Sequence, residues 1–179
     1  MILAIDPGRY CGFAVGLPGR DSGVHRSTVW DLGPAPNSRG THLRQHIVAW
    51  VRTFGVKVIA VELAGIGGKF PQAAMRLNEL AGVAKEVAGS TGCEFWEWPI
   101  GTWKKHSLGS GRAKKPDVIR LLRLLYGIEV ADENEADAIG ILKASQAGAP
   151  PVSARKRERQ LRKTLAARQP LLFGRRKRV

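Results

Sequence analysis

Four acids, Asp132, Glu133, Glu135 and Asp137, fall within six residues of "VADENEADAIGIL", Val130 to Leu142, just before the chain turns apolar. Two more acids end apolar runs: Asp6 closes "ILAID" and Glu62 closes "VIAVE". Charged side chains almost never sit fully buried without a partner, so an acid ending a buried strand marks a mouth of the sheet. Open sheets with parallel strands bind ligands at the carboxyl ends of those strands. If the strands ending in Asp6 and Glu62 are parallel neighbours, the two carboxylates face each other there. Unneutralised, they repel; a divalent cation removes the repulsion. Asn134 and Glu133 lie three and four residues before Asp137, on its face of a helix, and Glu135 points away. Oxygen donors without His or Cys suit Mg2+ or Mn2+. Two such ions, roughly 4 Å apart, would stabilise the attacking and leaving oxygens of a phosphodiester displacement. The candidate ligands are Asp6, Glu62 and Asp137, with Asn134 or Glu133 as the fourth. Taken singly, each acid also fits a turn, a solvated strand end or a helix dipole. The three in this order point to a metal site, unless a lysine or arginine already fills it.

The elements that must position these residues follow from punctuation and periodicity. Ile2 to Ile5 is an apolar run ending in the turn Asp6-Pro7-Gly8. Gly12 to Leu17 and Val24 to Leu32 read as two further strands of an antiparallel meander. A helix capped by Asn37 or Ser38 runs to about Phe54. The β-branched run Val56 to Glu62 reads as a strand covered on both faces. Helical periodicity returns over Pro71–Ala88, then a strand over Thr91 to Trp98. Pro116 starts a helix through Leu125, with Gly127 as its stop. The last helix begins near Asp132 and continues to about Ala147. A meander followed by βα units predicts an α/β fold: a mixed five-stranded sheet with helices on its faces. "GAPP", Gly148 to Pro151, separates this body (residues 1–150) from a tail (151–179).

Charge is unevenly placed. Of the net +14, residues 153–179 carry +10, from 11 Lys or Arg and one acid. A basic tail on a nearly balanced body suits a polyanion, with nucleic acid ahead of an anionic membrane surface or simple solubility. Cys11 and Cys93 each fall in an expected strand without CxxC spacing, as free thiols in a reducing cytosol. The start, "MILAID", lacks the charged and apolar regions of a signal peptide. No apolar run is long enough to span a bilayer.

"ILAIDPG", "VIAVE" and "NEADAIGIL" together resemble the three acidic motifs of the RuvC family of Holliday junction resolvases, in the RNase H-like, or retroviral-integrase-like, superfamily. The resemblance spans roughly residues 1–147, and "DENEADA" with the short basic tail looks most like phage-type members. It implies an RNase H-like nuclease domain using two Mg2+ or Mn2+ ions per active site and no small-molecule cofactor. Asp6 matches the aspartate bridging both metals, Glu62 the fourth-strand glutamate, and Asp137 the last acid of the final helix. The family usually has Asp or His where this chain has Asn134, and Glu133 is the other candidate for that place. The resemblance further implies a homodimer with the Pro71–Ala88 helix at its interface, placing two identical sites on two strands of a four-way junction. The expected setting is the cytoplasm of a bacterium or of a phage-infected host.

Two basic segments complete the reading. "AGIGGKF" follows Glu62 and ends in Lys69 and Phe70, suited to a phosphate and an unstacked base. "GTWKKHSLGSGRAKKPDV" sets Lys104, Lys105, Arg112, Lys114 and Lys115 among glycines, as a loop that tracks phosphates. The expectation is a structure-specific endonuclease for branched DNA. An RNase H-like nuclease acting on forks, flaps or hybrids, and a noncatalytic junction-binding protein, stay open at this point.

Overall fold

In the computed structural model, residues 1–65 and 71–148 are described. The expectations for Lys69, Phe70 and the tail lie outside them. Five strands form one mixed sheet in the order β3-β2-β1-β4-β5. β1 (Ile2–Asp6), β2 (Tyr10–Gly16) and β3 (Val24–Asp31) are the antiparallel meander. β4 (Val58–Leu63) lies parallel to β1, and β5 (Glu94–Pro99) lies parallel to β4. The helices are α1 (Pro36–Phe54), α2 (Pro71–Thr91), α3 (Ile100–Leu108), α4 (Lys115–Tyr126) and α5 (Glu133–Gln146).

Side chains alternate between the faces of a strand, so each strand feeds two cores. Leu3, Ile5, Phe13, Val15, Ile59 and Val61 meet α1 and α2. Ile2, Ala4, Ala14, Ala60 and Trp98 meet α3, α4 and α5. Asp6 and Glu62 continue the second series by two residues on their strands, which sends both carboxylates toward the α3–α5 side.

Three local features differ from expectation. Pro36 starts α1 behind an N-cap at Ala35, and the Ser38 hydroxyl donates to the Ala35 carbonyl instead of capping. Proline's fixed φ is already helical and it has no N–H to satisfy, so it opens a helix well. β5 starts at Glu94, so Cys93 lies in the turn before it, half-buried, with its thiol donating to the Val56 carbonyl. The stretch expected to be a basic loop contains α3. Its C-terminus is closed by Gly109, at φ 77°, whose N–H donates to the Lys105 carbonyl. Among the described residues no helix is long and apolar enough to cross a membrane.

Candidate active site

The register builds the site. Ile5 pairs with Val61 across the parallel ladder, so Asp6 and Glu62 are the next residues on adjacent strands. Strands lie about 4.8 Å apart, and both side chains emerge on one face at the carboxyl ends. The sequence expectation of parallel neighbours with facing acids is met.

α5 brings the third acid. Its N-cap, Asp132, accepts hydrogen bonds from the Asn134 and Glu135 amides at 2.7 and 3.0 Å. Nearly the whole helix from Ala136 to Gln146 is buried, because the sheet covers one side and α3 and α4 the other. Gly12, the cross-strand partner of Asp6, makes this seat possible. A Cβ at residue 12 would lie 2.0 Å from the Asn134 carbonyl oxygen, so only glycine admits the start of α5 so close to β2. Asp137, one turn further, then faces the mouth.

Electrostatics report the convergence. Burial and the negative charges of Glu62 and Asp137 push the Asp6 carboxyl well above its usual range. Burial raises Glu62 to about 7, against a hydrogen bond from Trp103, and Asp137 adds to the rise. Burial also raises Asp137. Its Oδ1 is buried and accepts no hydrogen bond. An orphaned buried carboxylate oxygen is costly and calls for a partner. Cys11, beside the partner of Asp6, packs into the core on the other face of the sheet, and the hard oxygens of the three acids fit a divalent cation. The acids are neighbours, not a closed cage: among the described residues no three His, Cys, Asp or Glu side chains close on one point. Glu62 Oε2 instead accepts from the buried Trp103 indole N–H at 2.7 Å.

Two lysines border the site without filling it. Both Lys104 and Lys115 act on all three acids, opposing their upward shifts. Yet Lys104 Nζ donates to the Ala113 carbonyl at 3.0 Å, and Lys115 Nζ pairs with Glu133 at 3.0 Å. Among the described residues neither makes an ion pair with Asp6, Glu62 or Asp137. No lysine or arginine ion pair among the described residues neutralises the three acids.

The remaining candidates divide. Asn134 is half-buried beside Gly12, and Glu133 is exposed and engaged with Lys115. Lys105, Arg112, Lys114 and Lys115 are exposed. Lys104, expected on a solvent-facing track, is only 8% exposed because α3 turns it inward. Sequence reasoning missed Gly12 and Trp103. For Gly12 a signal existed: Gly12, Ala14 and Gly16 are small at every second position of β2, the mark of a helix pressed against that face. Trp103 carried no comparable signal, since its segment lacks helical periodicity.

The comparisons with known proteins agree with this geometry. The family model for the crossover junction endodeoxyribonuclease RuvC matches residues 2–143. The RuvC crossover junction endodeoxyribonuclease of Anaeromyxobacter dehalogenans is 32% identical over 147 residues, covering 79% of this chain and 77% of its own. That of Paracoccus denitrificans is 29% identical over 148 residues, covering 78% and 87%. Among solved structures, Thermus thermophilus RuvC in complex with a Holliday junction substrate superposes with a TM-score of 0.72 at 19% identity, over 84% of this chain and 97% of that one. The yeast mitochondrial Holliday junction resolvase Ydc2 gives 0.61 at 15%, over 82% and 77%. The structural likenesses establish an RNase H-like fold. The family match covers both acid-ending strands and most of the acidic helix, and it shows that this chain belongs to the RuvC family of crossover junction endodeoxyribonucleases.

Proposed function

We propose that the chain resolves four-way DNA junctions by hydrolysing one phosphodiester in each of two strands, as a homodimer. The observation that carries this reading is the orphaned Asp137 oxygen beside Asp6 and Glu62, at the carboxyl ends of two parallel strands. Asp6, Glu62 and Asp137 would hold divalent cations, Mg2+ or Mn2+ and two per site, with Asn134 offering a neutral carbonyl. Such cations supply Lewis acidity at the phosphate and an activated water.

The chain's own residues do the rest. The three acids present negative charge at a partly buried mouth, where cations are held more strongly than in water. Lys104 and Lys115 temper the repulsion among them. Exposed Lys105, Arg112 and Lys114 take backbone phosphates beside the mouth. Lys69 and Phe70 would take a phosphate and an unstacked base, and the basic tail from residue 151 would add contacts without sequence preference. The exposed Ala73, Met75 and Gly82 on α2 suit a two-fold contact between copies. The protein would act in the cytoplasm of a bacterium or phage-infected host.

The test is a labelled mobile four-way junction with Mg2+, Mn2+ or chelator, beside fork, flap and RNA:DNA substrates. Paired nicks confined to the junction are expected with either metal, and none with chelator. Binding without any nick, even in Mn2+, would instead make this a noncatalytic junction-binding protein, the reading that the neutral Asn134 favours.

A further inference from the structure

We propose that Trp103 is a positioning residue that fixes Glu62 and leaves it one free oxygen for the cation. This rests on the reading above, in which Glu62 is a metal ligand. Trp103 is fully buried in α3, and its indole N–H donates to Glu62 Oε2 at 2.7 Å. That is a short bond, of the charge-assisted kind. A glutamate has three side-chain torsions and reaches a mouth in many poses; a ligand must hold one. The indole supplies the restraint from a rigid, packed ring.

The identity of the donor matters. A lysine or arginine there would orient Glu62 but also cancel the charge a cation needs. The indole N–H is neutral, donates only and does not titrate in the working range. It therefore orients the carboxylate while leaving its charge intact. The nearest cation is kept aside: Lys104 Nζ lies 5.3 Å from the Trp103 ring centroid and bonds to the Ala113 carbonyl. With Oε2 engaged by Trp103, Oε1 would be the oxygen left for a cation.

Gly140 is the counterpart. A Cβ there would lie 2.4 Å from Trp103 Cζ3, with two further ring atoms at 3.1 Å. Gly140 is one turn beyond Asp137 on α5. The notch it provides locks the ring in place and ties the pose of Glu62 to the helix carrying Asp137. Two ligands from distant segments are thus set by one interlocked contact.

The experiment uses the full chain with 15N-labelled tryptophan side chains. The Trp103 indole resonance, identified by its loss in Trp103→Phe, should move on Mg2+ addition and move upfield in Glu62→Gln. Trp103→Phe keeps an aromatic ring and loses the donor. It should need about 10- to 100-fold more Mg2+ for half-maximal thermal stabilisation and for half-maximal junction nicking. Gly140→Ala should raise the Mg2+ requirement in the parent chain and add little in Trp103→Phe, because both act through one contact. An unchanged Mg2+ requirement in Trp103→Phe, with Glu62→Gln inactive, overturns the positioning role and spares the site. Normal nicking by Glu62→Gln instead overturns the ligand role of Glu62. If Trp103→Phe does not fold, the parent resonance decides, and its indifference to both Mg2+ and Glu62→Gln rejects the proposal.

Discussion

The α1–α2 side of the sheet is packed with rings: Phe13 lies 4.7 Å from Trp30 and 5.6 Å from Trp50, and Trp50 lies 5.1 Å from Phe54, all between centroids. The α3–α5 side is packed with alanines, branched aliphatic residues and two tryptophans, and it also holds three acids with raised proton affinities, Asp6 half-buried and Glu62 and Asp137 buried, with an orphaned oxygen on Asp137. One side spends its contacts on stability. The other gives some up, because unlike the first it holds groups satisfied only by something outside the chain. Function and stability are thus separated by the period-two alternation of the strands, since Ile5 and Asp6, one residue apart, belong to opposite sides.

The largest test exchanges the two sides. Asp6→Asn should lower junction nicking by on the order of a thousandfold, about 4 kcal/mol of transition-state stabilisation. It should leave junction binding intact and metal-free stability unchanged or higher, since a repelled buried charge is gone. Phe13→Ala should do the reverse, with about 3–5 kcal/mol lost in denaturant unfolding and normal nicking by the fraction still folded. Normal nicking by Asp6→Asn would remove the site from this side altogether.

Next in size is the close approach at β2. Gly12→Ala drives a Cβ into the Asn134 backbone, which cannot rotate away as a side chain would. We expect a loss of about 3 kcal/mol and a coupled fall in nicking, because the start of α5 must shift. Gly89→Ala, in α2 with open space around its Cβ, should gain about 0.5–1 kcal/mol with activity unchanged. Equal small effects at both positions would show that the seat of α5 is soft.

These contrasts bear on what the sequence reveals. Asp6 and Glu62 were legible because an acid that ends an apolar run has few places to go, whereas their facing each other was conditional on a parallel pairing that the register of β1 and β4 supplies. The start of α5 near Asp132 was legible from the acids that precede the apolar run, and the structure adds that Asp132 is its N-cap. By contrast α3 was not, since "IGTWKKHSL" places lysines and glycine where a helix face should read apolar. Its burial of Lys104 depends on the Ala113 carbonyl, a contact between segments that no local pattern encodes. The Trp103 bond to Glu62 is hidden for the same reason, spanning 41 residues between two elements.

The pH dependence of stability comes next. Glu62 titrates near 4.5 when unfolded and at about 7 in the fold, and Asp6 and Asp137 move in the same direction. Between those values the folded chain keeps protons that the unfolded chain releases, so metal-free stability falls as pH rises. Glu62 alone accounts for about 3 kcal/mol between pH 4.5 and 7. Unfolding midpoints in chelator should therefore drop from pH 5 to pH 8, and Mg2+ should recover more of the midpoint at pH 8 than at pH 5. Phe13→Ala should show the same pH slope, and Glu62→Gln a shallower one. A flat profile in the parent chain would mean the three acids are solvated.

The smallest expected effect concerns Asn134, where the resemblance implies an Asp or a His. Asn134→Asp adds a carboxylate in the first turn of α5, where any anion gains about 0.3–1 kcal/mol from the helix dipole. If residue 134 faces only solvent, that gain appears equally with and without metal. If it faces the mouth, the new charge meets Asp6 and Asp137, which cancels the gain in chelator and leaves it in Mg2+. We expect the second pattern: an unfolding midpoint unchanged or lower without metal, and a several-fold lower Mg2+ requirement for stabilisation and nicking. That expectation rests on Gly12, the partner of Asp6, whose close contact with the Asn134 carbonyl brings the start of α5 up to the strand beside Asp6.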